Sequence, residues 1–253
     1  MQMAIKTQRG IQSVEVGGRL LLALVHAGRP MALKDLALAA GMAPAKAHPY
    51  LVSFGKLGLI AQDEATGRYG LGPLAMQLGL ISLQQSEPVR LASAQLPALA
   101  ISVGQTVGIA VWGSRGATIV RTEQGPMPVH VGMRHGTVMS LRGTASGKLF
   151  AALLPRAVIL ASEPDARFDA PFERELAAIR AARLAHAVDA AVPGVSALAV
   201  PVFDAADAMV LGLTAIGPGA SFDVRPGGPA ALALAVCARE LSRQLGARVA
   251  LPP

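Results

Sequence analysis

The sequence predicts a two-domain α+β protein, with a winged helix-turn-helix at its N-terminus and a mixed layer of strands and helices after it. Residues 33–60 have the apolar spacing of two short helices joined by a tight turn and followed by a strand. Residues 58–71 continue as strand, turn and strand. Beyond Gly104 the apolar period becomes that of strands, with helical segments between and after them.

Length and charge agree with two domains. The 253 residues, 52% of them apolar, can bury two substantial cores. The formal charge of +7 is uneven, because residues 1–72 carry eight Lys or Arg and four Asp or Glu, whereas residues 73–253 carry fifteen and twelve. A basic surface supplies the sequence-independent part of nucleic-acid affinity, although by itself it usually marks only a solvated face.

The composition also indicates a compartment. Cys237 is the only cysteine, which excludes an internal disulfide and a metal site built on several thiolates. No apolar run approaches the ~20 residues that span a bilayer, and the first residues lack the apolar core of a signal peptide. We therefore expect a cytoplasmic protein with no membrane partner.

Three helices are predicted in the first domain. Residues 13–27 form the first, capped by Ser13 and ended by Gly28. Apolar residues at helical spacing within 33–40 indicate the second, and Gly41 provides a left-handed stop. The third begins at Pro44, since proline is tolerated at a first helical position. Its apolar side consists of Ala47, Tyr50, Leu51 and Phe54.

The other side of the third helix is small and basic, as a helix in a DNA major groove is. We predict that this side faces double-stranded DNA with Ala45, Lys46, His48, Pro49 and Ser53. The alternative is an ordinary helical hairpin, since helix pairs with a glycine turn are common. Pro49 removes the hydrogen bond to the Ala45 carbonyl, so the helix is expected to bend or to begin late.

A hairpin is predicted directly after this helix, which makes it a wing. Apolar runs at 58–61 and 68–71 flank the turn residues 63–67. Arg68, beside the turn, is expected to reach the phosphates or the minor groove of the flanking DNA. We expect Arg19 of the first helix to contact the DNA backbone as well.

A helical stretch connects the two domains. It begins at Leu74 and is interrupted at Glu87–Pro88 and again near Pro97. Its apolar stripe of Leu74, Leu78 and Ile81 has no evident partner within the chain, which suits pairing of subunits. The predicted boundaries are 1–72 for the DNA-binding domain, 73–87 for the linker helix and 88–253 for the second domain.

The second domain alternates strands and helices. A hairpin is predicted from strands 106–112 and 117–121, and strands are also predicted at 197–203 and 210–216. Residues 127–132 and 138–141 are further candidate strands. The predicted helices are 144–154, 171–185 and 229–246. Antiparallel strands with helices between and after them indicate an α+β layer.

Patterns of enzyme chemistry are incomplete. Residues 143–148, GTASGK, have three residues between the glycines where a phosphate loop has four, and Leu149 replaces its Mg-binding Ser or Thr. Residues 194–198, GVSAL, lack one glycine of a hydrolase elbow. His130 and His135 have no Cys, Asp or Glu nearby to complete a metal site. We predict no catalytic residue, no cofactor and no metal.

Residues 143–147 remain of interest because they open a predicted helix. The N-terminus of a helix is a natural anion site, since its first N–H groups have no partner within the helix. The alternative is that the glycines at 143 and 147 only form a turn.

Four segments resemble the IclR family of bacterial transcription regulators. They are residues 13–60, residues 67–79 (GRYGLGPLAMQLG), residues 142–155 (RGTASGKLFAALLP), and the pair 194–204 (GVSALAVPVFD) and 211–218 (LGLTAIGP). They stand in the family's order and cover nearly the whole chain. The resemblance implies a winged helix-turn-helix, a GAF/PAS-like effector domain, a dimer or dimer of dimers, and a small organic acid or aromatic metabolite as ligand.

The resemblance also implies an effector pocket. Carried over to this chain, the family's contacts fall on Ala145, Ser146, Asp189, Ala197, Thr214 and Ile216. Position 216 is commonly Ser in the family and position 49 commonly Arg, so the ligand and the DNA contact are expected to differ here.

The expected ligand is a monocarboxylate with a hydrophobic or aromatic body. We expect the N–H groups of Ala145, Ser146 and Gly147 to hold its carboxylate. The Ser146 and Thr214 hydroxyls add polar contacts, and Leu141, Ala197 and Ile216 form the apolar wall. The alternative function is a metabolite-binding protein or small hydrolase whose N-terminal domain only mediates assembly.

Overall fold

The computed structural model describes residues 10–127 and 131–248. Its contacts divide the chain into two compact units between Gln85 and Ser86. The first unit contains a helix-turn-helix and the second is an α/β layer, which confirms the predicted fold class. The two units are described one at a time.

The first unit packs three helices and a short hairpin around one core. Its elements are α1 (Gln12–Ala27), α2 (Leu33–Ala39), α3 (Pro44–Lys56), β1 (Ile60–Gln62), β2 (Tyr69–Leu71) and α4 (Pro73–Gln85). Strands β1 and β2 pair antiparallel. Leu20, Leu36, Leu51 and Ile60 are fully buried in one cluster. This shared core fixes α3 against α1, α2 and the hairpin.

Helix α1 differs from its prediction at one end. It begins at Gln12, and its N-cap residue is Ile11, which makes no side-chain cap hydrogen bond. The predicted Ser13 cap is wrong, because Ser13 already lies inside the helix. At the other end, Gly28 adopts φ 61° and donates its N–H to the Leu24 carbonyl, so α1 ends as a glycine-capped helix does.

Asp63 holds the turn of the wing. Its Oδ1 accepts hydrogen bonds from the hydroxyl of Thr66 at 2.8 Å and from the Thr66 backbone N–H at 2.7 Å. These bonds stabilise the ionised carboxylate and hold the pKa of Asp63 below its ordinary value. Gly67, with φ 66°, then turns the chain so that Arg68 leads into β2.

The second unit is a five-stranded antiparallel sheet with helices around it. Its elements are α5 (Glu87–Val103), β3 (Thr106–Gly113), β4 (Gly116–Glu123), α6 (Ala145–Leu153), α7 (Arg156–Ser162), α8 (Ala170–Ala182), β5 (Ala185–Val188), β6 (Val195–Phe203), β7 (Met209–Pro218) and α9 (Pro229–Gln244). The strand order is β4-β3-β7-β6-β5.

The two faces of this sheet are occupied by different helices. Gly212 lies under α6, where an added methyl group would stand 3.2 Å from the Leu149 side chain. Alternation along β7 therefore puts Thr214 and Ile216 on the same face. Helix α9 lines a cavity with Val200 of β6, whereas Ala199, the residue before it, belongs to the core cluster under α6.

Several predicted elements are corrected. Of the candidate strand 127–132, residues 128–130 lie outside the described residues and the others are not in a strand. Residues 138–141 are not a strand either, because only Val138 pairs with β4, as an isolated bridge to Thr118. The predicted helix 171–185 ends at Ala182, where Arg183 turns left-handed with φ 53° and the buried Ala185 begins a strand.

Two prolines lie inside helices without interrupting them. Helix α3 starts at Pro44 and continues through Pro49, so the predicted late start is wrong. Helix α5 continues through Pro97, where a break was predicted. Both prolines are exposed, and the opposite sides of their helices bury Leu51 and Leu99. Burial of the apolar side stabilises each helix where one backbone hydrogen bond is missing.

Replacing Pro49 with alanine should raise the melting temperature of the helix-turn-helix unit. Alanine restores the N–H that can donate to the Ala45 carbonyl, and proline inside a helix costs up to about 3 kcal/mol. We expect an increase of several degrees in differential scanning calorimetry of the full chain. His48→Ala, at the neighbouring exposed position, is the control and should change it much less. An unchanged melting temperature in Pro49→Ala would show that α3 tolerates proline without cost.

Candidate functional site

The outer side of α3 is exposed and carries all five residues predicted there. Ala45, Lys46, His48, Pro49 and Ser53 are each exposed, while Ala47 and Leu51 between them are buried. Lys46 and His48 form no ion pair or hydrogen bond within the described residues, which leaves them available to a partner. The Ser53 hydroxyl donates to the Pro49 carbonyl at 2.9 Å.

The two arginines predicted to contact the DNA backbone lie at different places. Arg68 stands just before the wing strand β2, and its guanidinium lies 3.5 Å from the Pro30 carbonyl. Arg19 is exposed on α1, beside a small cavity that it lines with Ala39 and Ala40 at the end of α2. Arg68 thus adjoins α3 through the hairpin, whereas Arg19 lies beside α2.

The start of α6 is buried, and its N–H groups are only partly free. The N-cap residue Thr144 accepts a hydrogen bond from the Gly147 N–H at 3.0 Å, so the expected free N–H at Gly147 is wrong. The N–H groups of Ala145 and Ser146 have no hydrogen-bond partner among the described residues. The Ser146 Oγ is also buried without a partner. A buried polar group without a hydrogen bond is costly and calls for an explanation.

Gly147 is required by a close approach of two chain segments. A Cβ at this position would collide with the Ser140 carbonyl oxygen and would lie 2.8 Å from the Leu141 Cα. The segment before α6 therefore lies directly against its first turn. Leu141, predicted to form part of the apolar wall, is buried there in the cluster that includes Ala145.

The predicted sheet residues lie in adjacent rows of one face. Ala197 of β6 stands opposite Ile216 of β7, and Thr214 stands opposite Ala199 in the next row. The Thr214 hydroxyl donates to the Leu198 carbonyl at 2.9 Å, so it can only accept a hydrogen bond from a ligand. Ala197 and Ile216 are partly exposed, whereas Thr214 is buried, so this face is more open at its Ile216 end.

Asp189 lies in a loop and not on the sheet face or on α6. It lies exposed in the connection between β5 and β6, with φ 51°, and its Oδ1 accepts the Gly194 N–H at 2.7 Å. This bond closes the loop, which is a structural use of the carboxylate. Asp189 also carries a negative charge, which would not attract a carboxylate ligand.

Two further residues of this region were not predicted from the sequence. Thr106 of β3 stands opposite Ile216, and its Oγ1 is buried without a hydrogen-bond partner. Met133 covers Gly108 of the same strand, where an added methyl group would stand 3.0 Å from the Met133 Cε. Alternation along β3 would have identified Thr106 as facing the same way as Gly108 and Ala110.

Two surface cavities of the second unit are lined by other residues. One, of about 240 Å³, lies between the end of α8, β6 and α9, and includes Arg183, Val200 and Leu232. The other, of about 420 Å³, lies between α5 and α9, and includes Cys237. Burial raises the pKa of the Cys237 thiol to about 11, so it is not a reactive thiolate.

The described residues offer no metal site. Residues 10–127 and 131–248 contain no group of three His, Cys, Asp or Glu that could hold an ion. Of the two histidines that the sequence offered without further ligands, His130 lies outside the described residues. The His135 Nε2 lies 3.2 Å from the Thr122 hydroxyl oxygen. In the same two stretches, no helix is long and apolar enough to cross a membrane.

A winged helix-turn-helix with an exposed basic third helix, joined to a separate α/β domain, defines a DNA-binding regulator with a ligand domain. Comparison with known proteins gives the family. The IclR helix-turn-helix domain matches residues 13–64, and the C-terminal domain of the bacterial transcriptional regulator IclR matches residues 81–243. The chain belongs to the IclR family of bacterial transcription regulators. It is therefore not an enzyme, and the hydrolase alternative is excluded.

Individual relatives support this assignment over nearly the full length. The glycerol operon regulatory protein of Streptomyces coelicolor is 31% identical over 250 residues, which cover 94% of this chain and 98% of that protein. The crystal structure of Pseudomonas aeruginosa HmgR is similar at 35% identity and a TM-score of 0.61, covering 95% of this chain and 100% of that one. An IclR homologue from Microbacterium hydrocarbonoxydans, solved with 4-hydroxybenzoate, shares the fold at 18% identity and a TM-score of 0.72, covering 92% and 98%.

Replacing Arg68 and Lys46 separately should have different effects on DNA binding. Arg68→Ala should weaken binding about equally on all sequences and lower the slope of log affinity against log salt by about 1, because one phosphate contact is lost. Lys46→Ala should also change the preferred bases, because a base contact discriminates by ~1–3 kcal/mol. Fluorescence anisotropy with an operator and a scrambled duplex measures both. Equal losses on both duplexes for Lys46→Ala would contradict its reading of bases.

Proposed function

We propose that this regulator responds to a monocarboxylate with an apolar or aromatic body, bound between the start of α6 and the sheet face of Thr214 and Ile216. The observation that carries the proposal is the Ser146 hydroxyl, which is buried and has no hydrogen-bond partner among residues 10–127 and 131–248. A ligand oxygen at this place would satisfy it. As a regulator the protein would bind double-stranded DNA through α3 and the wing.

The polar part of this site suits an anion. The N–H groups of Ala145 and Ser146 are free and stand at the positive end of α6, and the first turn of that helix contains no acidic residue. The Ser146 hydroxyl adds a third donor. Three donors at one helix start match the two oxygens of a carboxylate. Thr106 Oγ1 and Thr214 Oγ1 stand on the sheet below and can contact a further polar group of the ligand.

The rest of the site is apolar and made of small residues. Ala197 and Ala199 of β6 have small side chains, and Ile216 and Met133 offer larger apolar surfaces beside them. A small pocket with a few convergent polar groups is typical of sites for small organic ligands. The 4-hydroxybenzoate bound by the Microbacterium homologue is a ligand of this chemical class.

The two surface cavities are weaker candidates. The cavity of about 240 Å³ has mostly apolar walls, and its charged residue Arg183 already lies over the Phe203 ring at 5.1 Å. Neither cavity is lined by a buried polar atom without a partner. A ligand there would relieve no existing cost, whereas one at Ser146 would.

We also propose that the protein works as a dimer or dimer of dimers that pairs through α4. Met76, Leu78, Leu80 and Ile81 of this helix are each about half exposed or more, with Leu78 and Ile81 on one side of the helix and Met76 and Leu80 on the other. Exposed apolar side chains grouped on a helix mark an interaction site. A dimer presents two recognition helices to two half-sites of an operator. The ligand can change operator affinity only if it binds one arrangement of that assembly more tightly than another, and only by as much as the two affinities differ.

The Ser146→Ala variant tests the effector site. Because the hydroxyl has no partner in the described part of the chain, we expect the melting temperature to change little. Affinity for 4-hydroxybenzoate or benzoate should fall roughly ten- to a hundredfold, since a hydrogen bond to a charged group contributes ~1.5–3 kcal/mol. Isothermal titration calorimetry of the full chain measures this. Benzamide, which lacks the charge, and glycerol, which lacks the carboxylate, are expected not to bind.

The matched control is Ser242→Ala. Ser242 is equally buried, but its hydroxyl accepts the Phe203 N–H at 3.0 Å and donates to the Ala238 carbonyl at 2.7 Å. We expect this variant to melt earlier and to bind the ligand as before. Undiminished affinity in Ser146→Ala, or glycerol bound more tightly than every carboxylate, would refute the proposed site.

Replacing both Leu78 and Ile81 with glutamate tests the subunit contact. Two charges on the apolar stripe should oppose its burial, so the protein should sediment as a smaller species in analytical ultracentrifugation. Leu38→Glu, at a residue of α2 that is 78% exposed, is the control and should leave the assembly unchanged. Unchanged sedimentation of the double variant would place the contact elsewhere.

A further inference from the structure

The outermost line of α3 is apolar. At 100° per residue, Ala45, Pro49 and Val52 fall within about 60° of one another around the helix axis, on the side opposite the buried Ala47 and Leu51. All three are exposed, Val52 to 44%. We call these three residues the apolar ridge. Lys56 continues this line at the end of the helix, whereas Lys46 and Ser53 flank it on one side and His48 on the other.

The helix lacks the side chains that usually read bases by paired hydrogen bonds. Residues 44–56 contain no Arg, Asn or Gln, which bind guanine or adenine in bidentate fashion, and no Asp or Glu, which accept from cytosine. Ser53 donates its hydroxyl to the Pro49 carbonyl. Lys46 and His48 are therefore the polar readers near the start of the helix, and both stand beside the ridge rather than on it.

We infer that α3 reads its operator mainly through the 5-methyl groups of thymine, which the apolar ridge contacts in the major groove. The inference rests on the proposed binding of DNA through α3. The thymine methyl is the apolar group that the major groove displays, and small apolar side chains are its usual partners. The Pro49 ring has no N–H and presents CH₂ groups, so it adds apolar surface to the ridge and no hydrogen-bond donor.

The length of the apolar ridge limits the number of base pairs that it can contact. Seven residues separate Ala45 from Val52, which corresponds to about 10 Å along the helix at 1.5 Å per residue. That is about three base-pair steps of 3.4 Å. The preferred half-site should therefore contain two or more thymines, on either strand, within about four consecutive base pairs. Lys46 and His48 beside the ridge can read a neighbouring guanine.

The test begins with an operator selected from random duplexes by the full-length protein. Each thymine of the selected half-site is then replaced by deoxyuridine, which removes only the 5-methyl group. We expect a loss of about fourfold in affinity for each contacted methyl, because burial of one methyl contributes about 0.8 kcal/mol. Deoxyuridine outside the protected bases is the DNA control and should have no effect.

Val52→Thr links the effect to the ridge. This change keeps the shape of the side chain and replaces one methyl by a hydroxyl at an exposed position. We expect the deoxyuridine effect at one thymine to shrink in this variant, as coupling in a double-mutant cycle. Val158→Thr is the matched control, because Val158 is exposed to a similar 41% but lies on α7 of the other unit. It should leave the deoxyuridine effect unchanged.

The outcomes separate this inference from the function on which it rests. If the protein selects an operator and binds it in a salt-dependent manner, but no deoxyuridine substitution weakens binding, methyl readout is wrong while DNA binding stands. A deoxyuridine effect that is identical in Val52→Thr and the native protein would overturn the role of Val52 in the ridge. If no sequence is selected from the random pool, the proposed binding through α3 fails and the inference with it.

Discussion

The close approach between the first turn of α6 and the segment before it determines the local structure at the start of that helix. Because Gly147 has no side chain, the Ser140 carbonyl and Leu141 can lie directly against the helix. Thr144 then caps the helix, with its hydroxyl accepting from Gly147 and donating to the Ser140 carbonyl. The same approach keeps water away from the start of α6. Two N–H groups and the Ser146 hydroxyl are left without hydrogen-bond partners among the described residues, and the proposed ligand site rests on this feature.

The helix-turn-helix unit depends on a different constraint, the burial of one side of α3. Ala47 and Leu51 join the core with Leu20 and Leu36, so the outer side is free of any packing role. This division explains how the helix tolerates Pro49, whose ring and missing N–H both fall on the solvent side. It also explains why an apolar ridge can persist there, since the ridge contributes nothing to the core and is available to a partner.

The side of the helix or sheet that each site residue faces was predictable from the sequence, whereas its hydrogen bonds were less so. The five α3 residues are exposed as expected, because helical periodicity assigns every position to a side once a few apolar residues are known. Ala197, Thr214 and Ile216 share one sheet face for the same reason. The Gly147 N–H differs from expectation because it donates to the Thr144 hydroxyl, a local hydrogen bond that periodicity does not describe. The position of Thr106 beside Ile216 was not predicted, because its partner strand β7 is about a hundred residues away in sequence.

The sequence by itself determined the order of the domains, the three helices and wing of the first, most of the strands of the second, and the family. Local periodicity, glycine stops and turn residues act over a few residues, and they are visible in the order of letters. Tertiary structure alone decided that α3 and α5 continue through their prolines, that α8 stops early so that β5 can join the sheet, and which polar groups of α6 remain free. Each of these results depends on burial or hydrogen bonding between residues far apart in the chain, and only the folded arrangement specifies which residues meet.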